Sequence, residues 1–217
     1  LTHPLGRTRI KFCGLTRAED VDLAVELGVD ALGFVLYPQS PRFVSDQQMA
    51  ALVSRVPAFV TTVGLFVDAP SSTILQTLDS VALSALQFHG EESAEECERY
   101  RLPWLKAARV RPGLDLLEFS RHYPGAQALL LDAFVEGYGG AGERFDWSLV
   151  PNEVAPRAVL SGGLSALNVG EAIARVRPYA VDVSSGIELS KGIKDPQRMR
   201  QFVAAVRRAD DLLSSPP

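Results

Sequence analysis

Ala128-Leu129-Leu130-Leu131-Asp132 is a run of four apolar residues closed by a carboxylate, and a glycine-rich stretch, Gly137 to Gly142, follows it. A strand that alternates polar and apolar residues has one wet face. This run does not alternate, so it predicts a strand covered on both sides, as in a parallel sheet wrapped by helices. Its length is that of a strand rather than a helix.

Working outward from this run, the same unit recurs along the chain: a short apolar segment, then about ten residues of helical pattern. Upstream lie Arg9 to Cys13 with a helix from Arg17 to Leu27 that Gly28 ends as a left-handed cap, and Ala31 to Leu36 with a long polar loop and a helix from Asp46 to Arg55. Then come Thr61 to Val67 with a helix from Pro70 or Ser71, where proline suits a first turn, and Leu83 to Phe88 with an acidic helix opening at Glu91. A weaker unit has Trp104 to Ala107 as its strand and Leu114 to His122 as its helix. Downstream of the starting run, a short helix is expected near Asp146-Trp147. Ala158 to Ser161 with a helix from Ala166 to Val176, and Ala180 to Val183 with a closing helix from Pro196 to Leu213, complete the series.

Eight units fill the chain with no leftover segment, and several strands end in polar residues followed by glycine-rich turns. An open doubly wound sheet uses the same alternation. The full set of eight units and the strand ends favour a single eight-stranded parallel βα (TIM) barrel over residues 1–217, with 1–6 and 214–217 expected to fray. The chain has 217 residues, within the range of one such barrel.

With 47% hydrophobic and 22% charged residues, and no apolar run near the roughly eighteen needed for a membrane span, the chain reads as a globular protein without a membrane partner. The formal charge of −4 argues against a nucleic-acid surface, which needs a basic face. Leu1 to Gly6 lacks a secretory pattern, and two cysteines in unlike settings fit a reducing cytoplasm. With three histidines and scattered acids, no metal constellation is expected. The outer helices offer no defensible apolar stripe, so both monomer and homodimer stay open.

In such a barrel the active site gathers at the C-terminal strand ends. Cys13 closes the first strand and Asp132 the sixth, and a thiol facing a carboxyl across a barrel mouth suits proton transfer. On position alone Cys13 reads equally well as a small buried hydrophobe. Asp132 is harder to dismiss because a carboxylate closing an apolar run is costly unless paired or functional, although capping the next loop is an alternative. Ser161-Gly162-Gly163 and Ser184-Ser185-Gly186 follow the last two strands, where barrels of this kind commonly hold phosphate with backbone N–H groups. Either loop alone reads as a tight turn; the two in adjacent units shift the balance toward phosphate. Gly139 to Gly142 suits a lid. Arg42, in Ser40-Pro41-Arg42, offers a planar fork for a carboxylate or a solvated surface charge. His89, beside Gln87, suits a ligand contact or a structural hydrogen bond. Lys106 suits an anion or simple snorkelling.

Taken in order, these motifs resemble one family, the phosphoribosylanthranilate isomerases. The resemblance rests on Lys11-Phe12-Cys13-Gly14-Leu15-Thr16, Gly33-Phe34-Val35 through Ser40-Pro41-Arg42-Phe43-Val44, Val63 to Val67, Leu86-Gln87-Phe88-His89-Gly90, Leu131-Asp132 with Gly139 to Trp147, Ser161 to Leu164, and Asp182-Val183-Ser184-Ser185-Gly186-Ile187-Glu188. The first, the Ser-Pro-Arg loop and the last together are specific, and the set spans nearly the whole chain. Two places depart from the family pattern: Gly140-Ala141-Gly142-Glu143, where Gly-Thr-Gly-Lys is common, and Leu189-Ser190 in the last loop.

The resemblance implies an Amadori rearrangement of N-(5-phosphoribosyl)anthranilate in tryptophan biosynthesis. Asp132 would protonate the furanose ring oxygen, and Cys13, its thiolate favoured by its neighbours, would take the proton from sugar C2. Arg42 would meet the anthranilate carboxylate, with Gln87, His89 and Asp182 as further substrate contacts. Gly162, Gly163, Ser184, Ser185 and Gly186 would hold the phosphate. Because the reaction moves only protons, no cofactor is expected. Two other readings are the sister aminosugar isomerase of histidine biosynthesis, which places an aspartate where Cys13 stands, and a non-catalytic barrel that senses sugar phosphates.

Overall fold

A computed structural model describes residues 6–133 and 145–214. Eight parallel strands close on themselves in sequence order: β1 (Arg9–Cys13), β2 (Ala31–Val35), β3 (Thr61–Phe66), β4 (Ala85–Phe88), β5 (Trp104–Val110), β6 (Ala128–Ala133), β7 (Ala158–Leu160) and β8 (Ala180–Val183). The pairing of β1 with β8, Lys11 opposite Asp182, closes the barrel and rejects the open doubly wound sheet. Helices α1 (Ala18–Glu26), α2 (Asp46–Val53), α3 (Ser71–Ser80), α4 (Ala94–Glu98), α5 (Leu116–His122), α6 (Val169–Val176) and α7 (Pro196–Ser214) wrap it.

Local chemistry explains where these helices start and stop. Ser45 and Ser93 each form a reciprocal capping box, with Gln48 and Glu96 respectively, and Asp115 accepts from the amides of Leu117 and Glu118. Gly28, at φ 69°, follows α1 in the left-handed conformation expected of it. Helix α4 begins at Ala94 and not at Glu91, because Glu92 turns inward to bond Lys106 and the Ser93 cap sets the start. The short helix expected near Trp147 is a 3-10 turn, Trp147–Leu149. Between β8 and α7, a stretch read only as loop folds into a 3-10 turn, Ser185–Ile187, and a small hairpin of β9 (Glu188–Ser190) and β10 (Ile193–Lys194).

Strand periodicity divides the side chains between two cores. Outward residues such as Phe12, Leu129, Leu131 and Val181 pack beneath the helices, where α7 contributes Met199, Phe202, Val203 and Val206 from one stripe. Phe12 and Phe202 meet edge to face at 6.2 Å. Inward residues form two smaller groups: Ala107, Ala128, Leu130, Val159 and Ala180 in one, Cys13, Val35, Leu65 and Val67 in the other. Asp132 shares the inward parity of Ala128 and Leu130, and Cys13 shares that of Lys11. The fold therefore carries both candidate acid/base groups to the interior at the C-terminal strand ends.

Candidate active site

Cys13 lies on β1 and Asp132 on β6, three strand steps apart around the closed barrel by way of β8 and β7, and both face inward at the same rim. The thiol is 6% exposed; the Asp132 side chain is 20% exposed and open to the mouth. One Asp132 oxygen accepts from the amide of Ala133 at 3.0 Å, and the other faces His89 Nε2 at 3.5 Å. Gln87 Nε2 lies 3.2 Å from His89 Nδ1. With the amide donating to Nδ1, the ring proton sits on Nε2, directed at Asp132. Gln87 is buried, and among the described residues its Oε1 has no hydrogen-bond partner. The structure thus gathers Asp132, His89 and Gln87 into one chain along one side of the mouth.

Around Cys13 the arrangement differs from the expectation. Burial pushes the thiol above the ordinary cysteine value; Lys11 and Lys194 pull it down, and Asp182 pushes it up again. The neighbours were expected to favour the thiolate, but Asp182 lies 2.6 Å from Lys11 Nζ and offsets much of the charge that would do so. Desolvation inside the barrel therefore wins. Asp182, expected to contact substrate, has both oxygens engaged: Oδ1 by Lys11 at 2.6 Å and Oδ2 by the Ser161 hydroxyl at 3.1 Å.

Arg42 is 5% exposed, not a solvated surface residue. Its Nε and Nη2 donate to the two oxygens of Glu188 at 2.7 and 2.8 Å, so the face of the fork expected to take a ligand carboxylate is occupied. The Nη1 edge is not part of that pair. Lys194 Nζ joins the same cluster, donating to Glu188 at 2.9 Å, to the Cys13 carbonyl at 2.7 Å and to the Ser184 carbonyl at 3.2 Å. One ammonium thus ties β1, the Arg42–Glu188 pair and the last βα loop together.

The loops expected to hold phosphate are neighbours in space. Gly162, at φ 78°, comes so close to β6 that a Cβ would stand 2.6 Å from the Ala133 nitrogen, and on Gly186 a Cβ would overlap the Leu164 carbonyl. Asn168 bonds the Gly163 carbonyl at 2.9 Å, and Ser184 and Ser185 open the short 3-10 turn typical of a barrel phosphate site. Lys106 neither meets an anion at the mouth nor snorkels: it is buried outside the barrel, donating to Glu92 at 2.8 Å and to the Gly90 carbonyl at 2.7 Å. The proposed lid, Gly139 to Gly142, and Glu143 lie outside the described residues.

Sequence reasoning missed Lys11, Ser161 as a ligand of Asp182, Glu188 and Lys194. Lys11 left a signal, a charge two residues before Cys13 and therefore on the same strand face. Glu188 and Lys194 left none, since only the hairpin brings them to Arg42.

A closed barrel with an inward thiol, an inward carboxyl and two touching glycine loops at one rim defines a βα-barrel with a candidate acid/base site. Comparison with known proteins makes this particular. The model of the N-(5'-phosphoribosyl)anthranilate (PRA) isomerase family matches residues 10–205, and the chain belongs to that family. A relative from Dechloromonas aromatica, N-(5'-phosphoribosyl)anthranilate isomerase, is 58% identical over 94% of this chain and 99% of its own. Among solved structures, phosphoribosyl anthranilate isomerase from Thermotoga maritima superposes with a TM-score of 0.85 at 40% identity, covering 93% of this chain and 99% of that one. Another, phosphoribosyl anthranilate isomerase in complex with reduced 1-(o-carboxyphenylamino)-1-deoxyribulose 5-phosphate, gives 0.82 at 38%, with the same coverage. Neither the histidine-pathway isomerase nor a sensing barrel is favoured by these findings.

Proposed function

We propose that this chain converts N-(5'-phosphoribosyl)anthranilate to 1-(2-carboxyphenylamino)-1-deoxyribulose 5-phosphate, the isomerisation step of tryptophan biosynthesis. The observation that carries the mechanism is that Cys13 and Asp132 face one another's side of the same barrel mouth from β1 and β6. Asp132 donates a proton to the furanose ring oxygen, and the ring opens to an iminium. His89 Nε2–H, held by Gln87, then faces the carboxylate left behind. Cys13, as thiolate, takes the proton from sugar C2; the resulting enolamine tautomerises to the ketone. Arg42 meets the anthranilate carboxylate through Nη1, its other edge being fixed by Glu188. The backbone around Gly162, Gly163, Ser184, Ser185 and Gly186 receives the phosphate.

The partner is thus a small phosphorylated molecule, acted on in the cytoplasm by a monomer or homodimer. Among the described residues no helix is long and apolar enough to cross a membrane. The test generates the unstable fluorescent substrate from anthranilate and phosphoribosyl pyrophosphate with the joining transferase, then follows its decay. Cys13→Ser and Asp132→Asn are each expected to slow turnover by about a hundredfold or more. Full activity in both variants would overturn the assignment of acid and base. A wild type no faster than spontaneous decay would overturn the activity itself.

A further inference from the structure

Lys11 is 4% exposed and its partner Asp182 is 5% exposed, deep in the interior of the barrel. A buried ion pair contributes little to stability compared with apolar residues of similar size. This same interior is filled elsewhere by Ala107, Ala128, Leu130, Val159 and Ala180, so the fold has an apolar solution and does not use it here. The pair is anchored on both sides. Asp182 Oδ1 takes Lys11 Nζ at 2.6 Å while Ser161 holds Oδ2 at 3.1 Å, which fixes the ammonium.

Its direction is set by β2. Cys13 stands opposite Gly33 in the β1–β2 register. A Cβ on Gly33 would lie 2.9 Å from Cys13 Sγ and 3.1 Å from Lys11 Nζ, so sulfur and ammonium converge on the gap that Gly33 leaves in the barrel lining. The other charges near Cys13 come from three elements. Lys194 on β10 donates to the Cys13 carbonyl, Arg42 from the loop after β2 is bound to Glu188, and Asp182 comes from β8. Lys11 is the cation on β1 itself.

We propose that Lys11 is the positioning residue of the base: anchored by Asp182 and Ser161, its ammonium holds the Cys13 thiolate by hydrogen bond and charge while the substrate proton is drawn off. This rests on the reading of Cys13 as base. In the step, the C2–H bond breaks and an S–H bond forms, the electron pair passes into the iminium, and Lys11 keeps its protons throughout. Asp182 is then an anchor for Lys11 rather than a direct contact to the sugar.

The test reads the Cys13 thiol separately from turnover. Alkylation by iodoacetamide is followed against pH and mapped to the Cys13 peptide; Cys97, buried with its thiol pushed up to about 12, is resolved by the same mapping. Lys11→Met is expected to raise the alkylation midpoint by about one pH unit or more. It should lower kcat near neutrality with KM little changed, while Lys11→Arg retains the wild-type midpoint. Gly33→Ala leaves every charge in place and presses a methyl against both groups, so it tests the contact even if Lys11→Met does not fold. It should move the midpoint in the same direction by less. A folded Lys11→Met or Gly33→Ala protein with the wild-type midpoint would overturn the proposal. Failure of the reading beneath it shows differently, as full turnover in Cys13→Ser.

Discussion

Two lysines on barrel strands are buried against carboxylates, one on each face of the wall. Lys11 points inward with Asp182; Lys106 shares the outward parity of Trp104 and meets Glu92 under the helical layer. The ion-pair distances are nearly equal, 2.6 and 2.8 Å. Their surroundings differ. Glu92 also accepts from the amides of Asp68 at 2.8 Å and Gly90 at 2.9 Å, so the Lys106 pair braces the loops after β3 and β4. The Lys11 pair reaches the loop after β7 through the Ser161 hydroxyl on Asp182, and its ammonium adjoins the thiol. A buried lysine–carboxylate pair thus braces loops on one side of the sheet and, in the role proposed for Lys11, serves the thiol on the other.

The comparison breaks most sharply at Lys106. Lys106→Met leaves Glu92 buried without its cation, and urea unfolding is expected to lose roughly 3–5 kcal/mol. Replacing both partners, as Lys106→Met with Glu92→Leu, recovers part of that loss by removing the stranded charge, though the two loop amides stay unpaired. In both proteins the Cys13 alkylation midpoint should remain at the wild-type pH. A shift as large as that of Lys11→Met would erase the distinction between the two pairs.

A smaller effect is expected at Glu188, where three elements share one carboxylate. Burial works to raise its pKa, and Arg42 and Lys194 outweigh burial, so the carboxyl titrates below the ordinary glutamate value. A depressed folded-state pKa contributes stability above the unfolded value, about pH 4.3, and loses it as pH falls through the folded value. Glu188→Gln should therefore flatten the acid side of the stability profile, read as urea midpoints between about pH 5 and pH 3. An unchanged slope would mean that the cluster does not hold the charge. The smallest effect belongs to an exposed pair, Arg175 with Glu171 at 3.3 Å on α6. Glu171→Ala should change stability by less than about 0.5 kcal/mol, a baseline against which the buried pairs are judged.

How much of this was legible follows from the range of each signal. Strand runs, helix caps and Gly28 are local, and the barrel could be counted from them. The start of α4 lies at Ala94 and not at Glu91 because the next residue, Glu92, is drawn inward by Lys106 fourteen positions away in sequence, and Ser93 then caps the helix. Arg42 reads from the sequence as a fork for a ligand carboxylate or as a surface charge, and not as one half of a pair, since Glu188 is 146 residues distant.

The amino-acid order by itself determined the eightfold repeat, the inward parity of Cys13 and Asp132, and the motifs that mark the family, because periodicity and turn chemistry act over a few residues. Only closure of β8 on β1 decided which charges meet: Lys11 with Asp182, Arg42 with Glu188, Lys194 with the Cys13 carbonyl. Those partners come from opposite ends of the chain. Their electrostatic energies depend on distance and dehydration, which exist only once the barrel has folded.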